Sequence, residues 1–234
     1  MFNKDVIGVL SQINGVTNSI ILKYPVTVAV SETQDTFIHF DVSKVDSTEF
    51  PEIALKDNLN EFLSVFKLFG DERNVTIEGK NIEISDGSST ASYIMDVAGL
   101  MDSYNKTPEQ FEKTESVPSV ATFDLLAKDI KSVKSASGVF KDLSEIIFTS
   151  QDGDIKVSLG ATNKFNAKSN TFSIKKSAKT SKEFEIKIPV ENFKSIPETD
   201  YIIDVKYNAT RNSYRLLLTS KTLDGFKLLM SVKI

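Results

Sequence analysis

Apolar residues recur along this chain with two periods, and the switches between them mark its elements. Residues 3–14 place Val6, Ile7, Leu10 and Ile13 on one face at helical spacing, with Asn3 positioned to cap the first turn and Gly15 to end it. Between Ser19 and Ile53 the period falls to two, in SIILK, VTVAVSE, TFIHFDV and EFPEIA, as in strands with one buried and one wet face. Helical spacing returns over residues 57–69, where Leu59, Phe62, Leu63, Phe66 and Phe69 share a face, Asp57 stands as cap and Gly70 as stop. Three more strands follow: NVTIEG and NIEISDG across a Gly79-Lys80 turn, then STASYIM.

Residues 96–119 interrupt this order with charge, Ser, Thr and the prolines Pro108 and Pro118, as a connector does. The pattern then restarts. Residues 122–137 read as a helix capped by Thr122 and stopped at Gly138, with Leu126, Ile130 and Val133 on its apolar face. SEIIFTS and DIKVSLG flank an Asp152-Gly153 turn, NTFSIKK and EFEIKI follow, and a short helix, PVENFKSI, opens on Pro189 and ends before Pro197. YIIDVKYN, SYRLLLTS and FKLLMSVKI complete the chain, the last two joined at Asp224-Gly225. Both halves therefore read helix, four strands, helix, three strands, an α+β architecture used twice. Asp57-Asn58-Leu59 aligns with Glu191-Asn192-Phe193 at the start of the second helix of each half. The expected organisation is a first domain over 1–96, a connector over 97–121 and a second domain over 122–234.

Charge sharpens the picture. The net value is −4, but residues 1–110 hold 8 Lys+Arg against 17 Asp+Glu and residues 111–234 hold 20 against 15, so the second half is basic. An acidic whole with a basic half argues against a tight grip on nucleic acid through many ion pairs, and it leaves room for a local surface facing a polyanion. The 40% hydrophobic content supports a sizeable core. No cysteine is present, which excludes disulfides and thiolate metal sites and fits a reducing, cytoplasmic setting. No stretch is apolar enough for a signal peptide or a membrane span.

Catalytic inventory is thin. The one histidine, His39, lies in an alternating strand, and no glycine-rich phosphate loop or GxSxG elbow occurs. The acidic pairs Asp152/Asp154 and Asp71/Glu72 sit at turns, where carboxylates are expected on structural grounds. The expectation is a protein without catalysis, metal or cofactor. Lysine on helices is what remains. Lys128, Lys131 and Lys134 form a stripe. Lys56 and Lys67 lie eleven residues apart, nearly in register after three helical turns. Lys4 begins the first helix and Lys194 sits on the short fourth one. Each alone fits a solvated surface; together they fit one cationic surface, which Lys164, Lys168 and Arg211 in loops would extend.

Two stretches carry a family resemblance. DNLNEFLSVFKLFGDERNVTIEGKNIEISDGSSTASYIMD resembles the first-domain helix and following hairpin of the T4-type bacteriophage DNA sliding clamps, and VPSVATFDLLAKDIKSVKSASG resembles the start of their second domain. Element order and length agree over nearly the whole chain. One departure is residues 163–179, richer in lysine than that family leads one to expect. The resemblance implies a DNA clamp fold, with sheets outside and helices lining the central hole of a homotrimeric ring. It further implies that the ring encircles duplex DNA, tethers the replicative DNA polymerase for processivity in viral DNA replication, and is opened by a clamp-loader complex. Lysines suit such a lining, since a moving duplex needs diffuse attraction and not bidentate arginine forks. Two alternatives stay open on the residues alone: a β-rich two-domain structural or scaffold protein without a DNA role, and a carboxylate-metal hydrolase.

Overall fold

The computed structural model describes residues 2–70, 73–151, 153–161 and 171–234. The chain divides into two compact units, Met1–Phe111 with Asp224–Phe226, and Glu112–Leu223 with Lys227–Ile234. The division falls inside the 97–121 stretch. That stretch is not bare linker, because residues Pro108–Glu115 form a helix and Ser119 already begins a strand.

Unit 1 runs α1 (Lys4–Ile13), β1 (Ile20–Leu22), β2 (Val26–Val30), β3 (Thr36–Asp41), β4 (Ile53–Leu55), α2 (Leu59–Phe66), β5 (Asn74–Glu78), β6 (Asn81–Ser85) and β7 (Thr90–Ile94), followed by α3 (Pro108–Glu115) at the boundary. The helix, four strands, helix, three strands order is reproduced element by element. Asn3 caps α1 as its position suggests, its side chain accepting from the amides of Asp5 and Val6, both at 3.0 Å. The apolar face of α2 packs an aromatic cluster: Phe62 lies 4.8 Å from Phe66 and 5.5 Å from Tyr93, and Phe2 meets both phenylalanines. Each of the three fully buried phenylalanines contributes about 1.5–3 kcal/mol. Arg73 closes the cluster, stacking 5.1 Å over Phe66 and donating to the carbonyls of Gly70 and Phe2.

Unit 2 comprises β8 (Ser119–Leu125), α4 (Ala127–Val139), β9 (Glu145–Gln151), β10 (Asp154–Gly160), β11 (Ser173–Ser177), β12 (Lys179–Thr180), β13 (Glu185–Pro189), α5 (Val190–Lys194), β14 (Tyr201–Asn208), β15 (Ser213–Ser220) and β16 (Phe226–Ser231). One sheet is ordered β11-β10-β9-β13, and another runs β12-β8-β14-β15-β16, antiparallel throughout. Helices α4 and α5 cover the first sheet, burying Ile130, Val133 and Phe193 over its inward residues Ile146, Phe148, Ile155 and Ile188.

Two expected helix starts are wrong for one physical reason. Thr122 does not cap a helix: it sits in β8, paired with Asp204 of β14, and its hydroxyl donates to the Asp204 carboxylate at 2.6 Å. Helix α4 begins five residues later, its first amide, on Ala127, donating to Asp200 at 2.7 Å, and Asp129 accepts from the Leu126 amide at 3.0 Å. Gly138 lies inside α4 and does not end it. Likewise Asp57 does not cap α2. It adopts a positive φ of 58° and accepts from the Ser19 hydroxyl, while Asn18 takes the amides of Leu59 and Asn60. In both helices the unpaired first-turn amides are satisfied from a distant segment.

Candidate nucleic-acid interface

The lysines expected to share a cationic face do not behave alike. Helix α4 projects Lys128 and Lys131 into solvent, and neither makes a salt bridge among the described residues. Lys134, 60° further round, turns inward. Its ammonium donates to the Ile196 carbonyl at 2.7 Å and lies 3.5 Å from Glu198, with the side chain only 19% exposed. Burial pulls its pKa down and Glu198 partly restores it. Lys134 is thus a strut between α4 and the turn after α5. This departs from the three-lysine stripe, because 3.6-residue periodicity places a side chain on an azimuth without saying which neighbour waits there.

Unit 1 departs further. Lys56 and Lys67 both fall outside α2, one in the loop before it and one at its C-cap, so their eleven-residue spacing is not three turns of a helix. Glu61 and no lysine occupies the solvent side of α2. On α1, exposed Lys4 is followed by exposed Asp5. The exposed helical charge that is clearly positive belongs to unit 2.

On α5, Lys194 is exposed and pairs with Glu191 at 2.8 Å. Arg211 is exposed in the β14–β15 connection, its amide bound to the Asn208 side chain. Lys164 and Lys168 lie outside the described residues, as do Asp71, Glu72 and Asp152. Two lysines that sequence reasoning passed over, Lys141 and Lys233, line a hollow of about 610 Å³ together with Lys194. Nothing in their local sequence marks them. The hollow is assembled from the end of α4, the start of β9, α5 and the chain end.

Electrostatic support behind α4 comes from Asp129. Burial would raise its pKa, yet the Lys176 ammonium and the Leu126 amide outweigh it and hold the carboxyl below the ordinary value. Asp129 therefore joins the first turn of α4 to strand β11 through a half-buried ion pair. Among the described residues, no group of three or more His, Cys, Asp or Glu is arranged to hold a metal, and no helix is long and apolar enough to cross a membrane.

No family model matches the chain, and no curated protein is detectably similar to it in sequence. Solved structures are similar in fold. Two units of this topology, helices laid on antiparallel sheets, define the DNA clamp fold. The proliferating cellular nuclear antigen of Entamoeba histolytica superposes with a TM-score of 0.69 at 8% identity, covering 97% of this chain and 94% of that one. The A. fulgidus antigen bound to the C-terminal region of FEN-1 gives 0.65 at 12% identity, over 97% and 94%. A putative DNA polymerase III beta subunit from Eubacterium rectale gives 0.64 at 10%, over 97% of this chain and 64% of that one.

Proposed function

We propose that this protein is a sliding clamp of the T4 bacteriophage type, a homotrimeric ring that encircles duplex DNA and tethers a DNA polymerase without chemistry of its own. The observation that carries the reading is the clamp fold over 97% of the chain, joined to exposed lysines on the helices of unit 2 inside a net-acidic protein. Lys128, Lys131 and Lys194 attract phosphates, with Lys4, Lys56, Lys67 and Arg211 in lesser roles and Lys134 holding the helices in place. Contact through ammonium groups to the backbone carries no sequence information, which is what a ring that travels requires.

Ring closure uses sheet edges. Among the described residues, the β5-β6-β7 sheet of unit 1 has open edges at β5 and β7, and the β11-β10-β9-β13 sheet of unit 2 has one at β11, while Lys187 of β13 bridges to Lys233. Ile94, on edge strand β7, is 71% exposed. Head-to-tail pairing of such edges between three copies closes a heterologous ring and removes the aggregation hazard of open edges. Opening it for loading falls to an ATP-driven clamp loader, and the two-unit subunit leaves the polymerase to dock outside.

The test is retention. Protein assembled on a nicked circular plasmid stays bound through gel filtration and is lost once the plasmid is linearised. Equal loss from circular and linear DNA overturns the clamp reading and favours a structural protein.

A further inference from the structure

The hollow at the end of α4 has the composition of an anion seat. Lys141, Lys194 and Lys233 converge on it with Glu145 and Glu191. Glu191 is committed to Lys194 at 2.8 Å. That leaves Lys141 and Lys233, both exposed and without an ion pair among the described residues, facing a single carboxylate, Glu145. The local balance is positive in a chain whose net charge is −4.

A second feature of the hollow is Gly138. It lies within α4, its φ is an ordinary helical one, and a Cβ placed on it meets nothing within 4 Å. Glycine is an ordinary residue in the last turn of a helix, and Gly8 in α1 is equally open. Gly138 forms part of the wall of the hollow and leaves the helix backbone there without a side chain. Gly138 also stands seven residues after Lys131, nearly two full turns, so it shares that lysine's face about 10 Å along the axis. The hollow continues the exposed lysine row of α4.

We propose that this hollow seats a backbone phosphate of duplex DNA, bound by Lys141 and Lys233 over Gly138, with Glu145 opposing. Its position beyond Lys131 favours a polymer phosphate over a free anion, because a polymer can occupy both places at once. This inference rests on the clamp reading and adds to it two lysines, a glycine and an acid. Glu145 keeps the seat weak, so that a phosphate exchanges rapidly as the duplex moves.

The experiment measures affinity for a short linear duplex against salt concentration, alongside retention on nicked circular DNA. K141A/K233A is expected to lower duplex affinity several-fold and to reduce the slope of log affinity against log salt by about one per lysine. E145Q is expected to raise affinity, and G138A to raise the thermal midpoint while lowering affinity. Wild-type behaviour of K141A/K233A on duplex, with normal circular retention, overturns the seat and spares the clamp. Failure of the wild-type protein to stay on circular DNA overturns the clamp itself. Inorganic phosphate titrated by NMR separates the sources: millimolar saturation at Lys141 and Lys233 with no effect of the double substitution on duplex binding identifies a small-anion site and rejects the DNA seat. A K141Q/K233Q variant serves if the alanine variant does not fold.

Discussion

Lys134 and Asp129 share one helix with Lys128 and Lys131 but have different work, decided by what each ammonium or carboxylate meets. Lys134 makes a charge-assisted bond to a carbonyl, so Lys134→Ala is expected to destabilise unit 2 by about 1–2 kcal/mol. Lys128→Ala with Lys131→Ala, both exposed, should change stability by no more than about 0.5 kcal/mol and should shorten residence on circular DNA. Thermal denaturation paired with the retention assay separates the two classes; a large loss of midpoint in the double variant would place those lysines in the fold. Asp129 carries a pH signature. Its folded pKa lies below the ordinary carboxylate value, so its contribution is complete above the unfolded pKa of about 3.9 and disappears as pH falls through the folded value. Asp129→Asn should therefore cost about 1–2 kcal/mol near pH 7, with the gap to wild type closing in the acid range. A gap that persists unchanged in acid would mean that the carboxylate's charge is not what matters.

Helix starts in this protein are built by partners far away in sequence. Asn18 serves α2 and Asp200 serves α4. Either side chain replaced by alanine should lower stability by about 1 kcal/mol, the ordinary worth of an N-cap, and denaturant midpoints of the two variants measure it. The same elements explain the misreadings. Thr122 and Asp57 are good caps by residue type, but Thr122 is claimed by the β8–β14 ladder and Asp57 by a tight turn onto Ser19. Helix α3 escapes a periodicity search because, of its eight residues PEQFEKTE, only Phe111 is apolar and buried.

For the whole molecule, the ring reading makes assembly measurable. Light scattering at concentrations above trimer dissociation should give about three times the 26.0 kDa of one chain. Ile94→Lys, on the exposed side of an edge strand, should shift that mass toward the monomer while the fold survives. A monomer mass for the wild-type protein at all concentrations would remove the ring. Exposed lysines on unit 2 and their scarcity on the helices of unit 1 follow the net charges of −9 and +5 in the two halves. On the ring reading, the attraction of each subunit for phosphates is correspondingly uneven.

Composition and periodicity determined the element order of the first half, the α+β content of both, the acidic first half and the exposed cations Lys128, Lys131 and Lys194, because these depend on local spacing and on totals; they missed α3, the placing of β8 ahead of α4, and the short β12. Only the tertiary structure decided that Lys134 is a strut, that Lys56 and Lys67 are off the helix, that distant Asn18 and Asp200 supply the caps, and that Lys141 and Lys233 line one hollow. Each of those outcomes depends on which segment packs where. Spacing along a chain specifies the direction of a side chain, and the neighbour in that direction is supplied by residues 42 to 92 positions away.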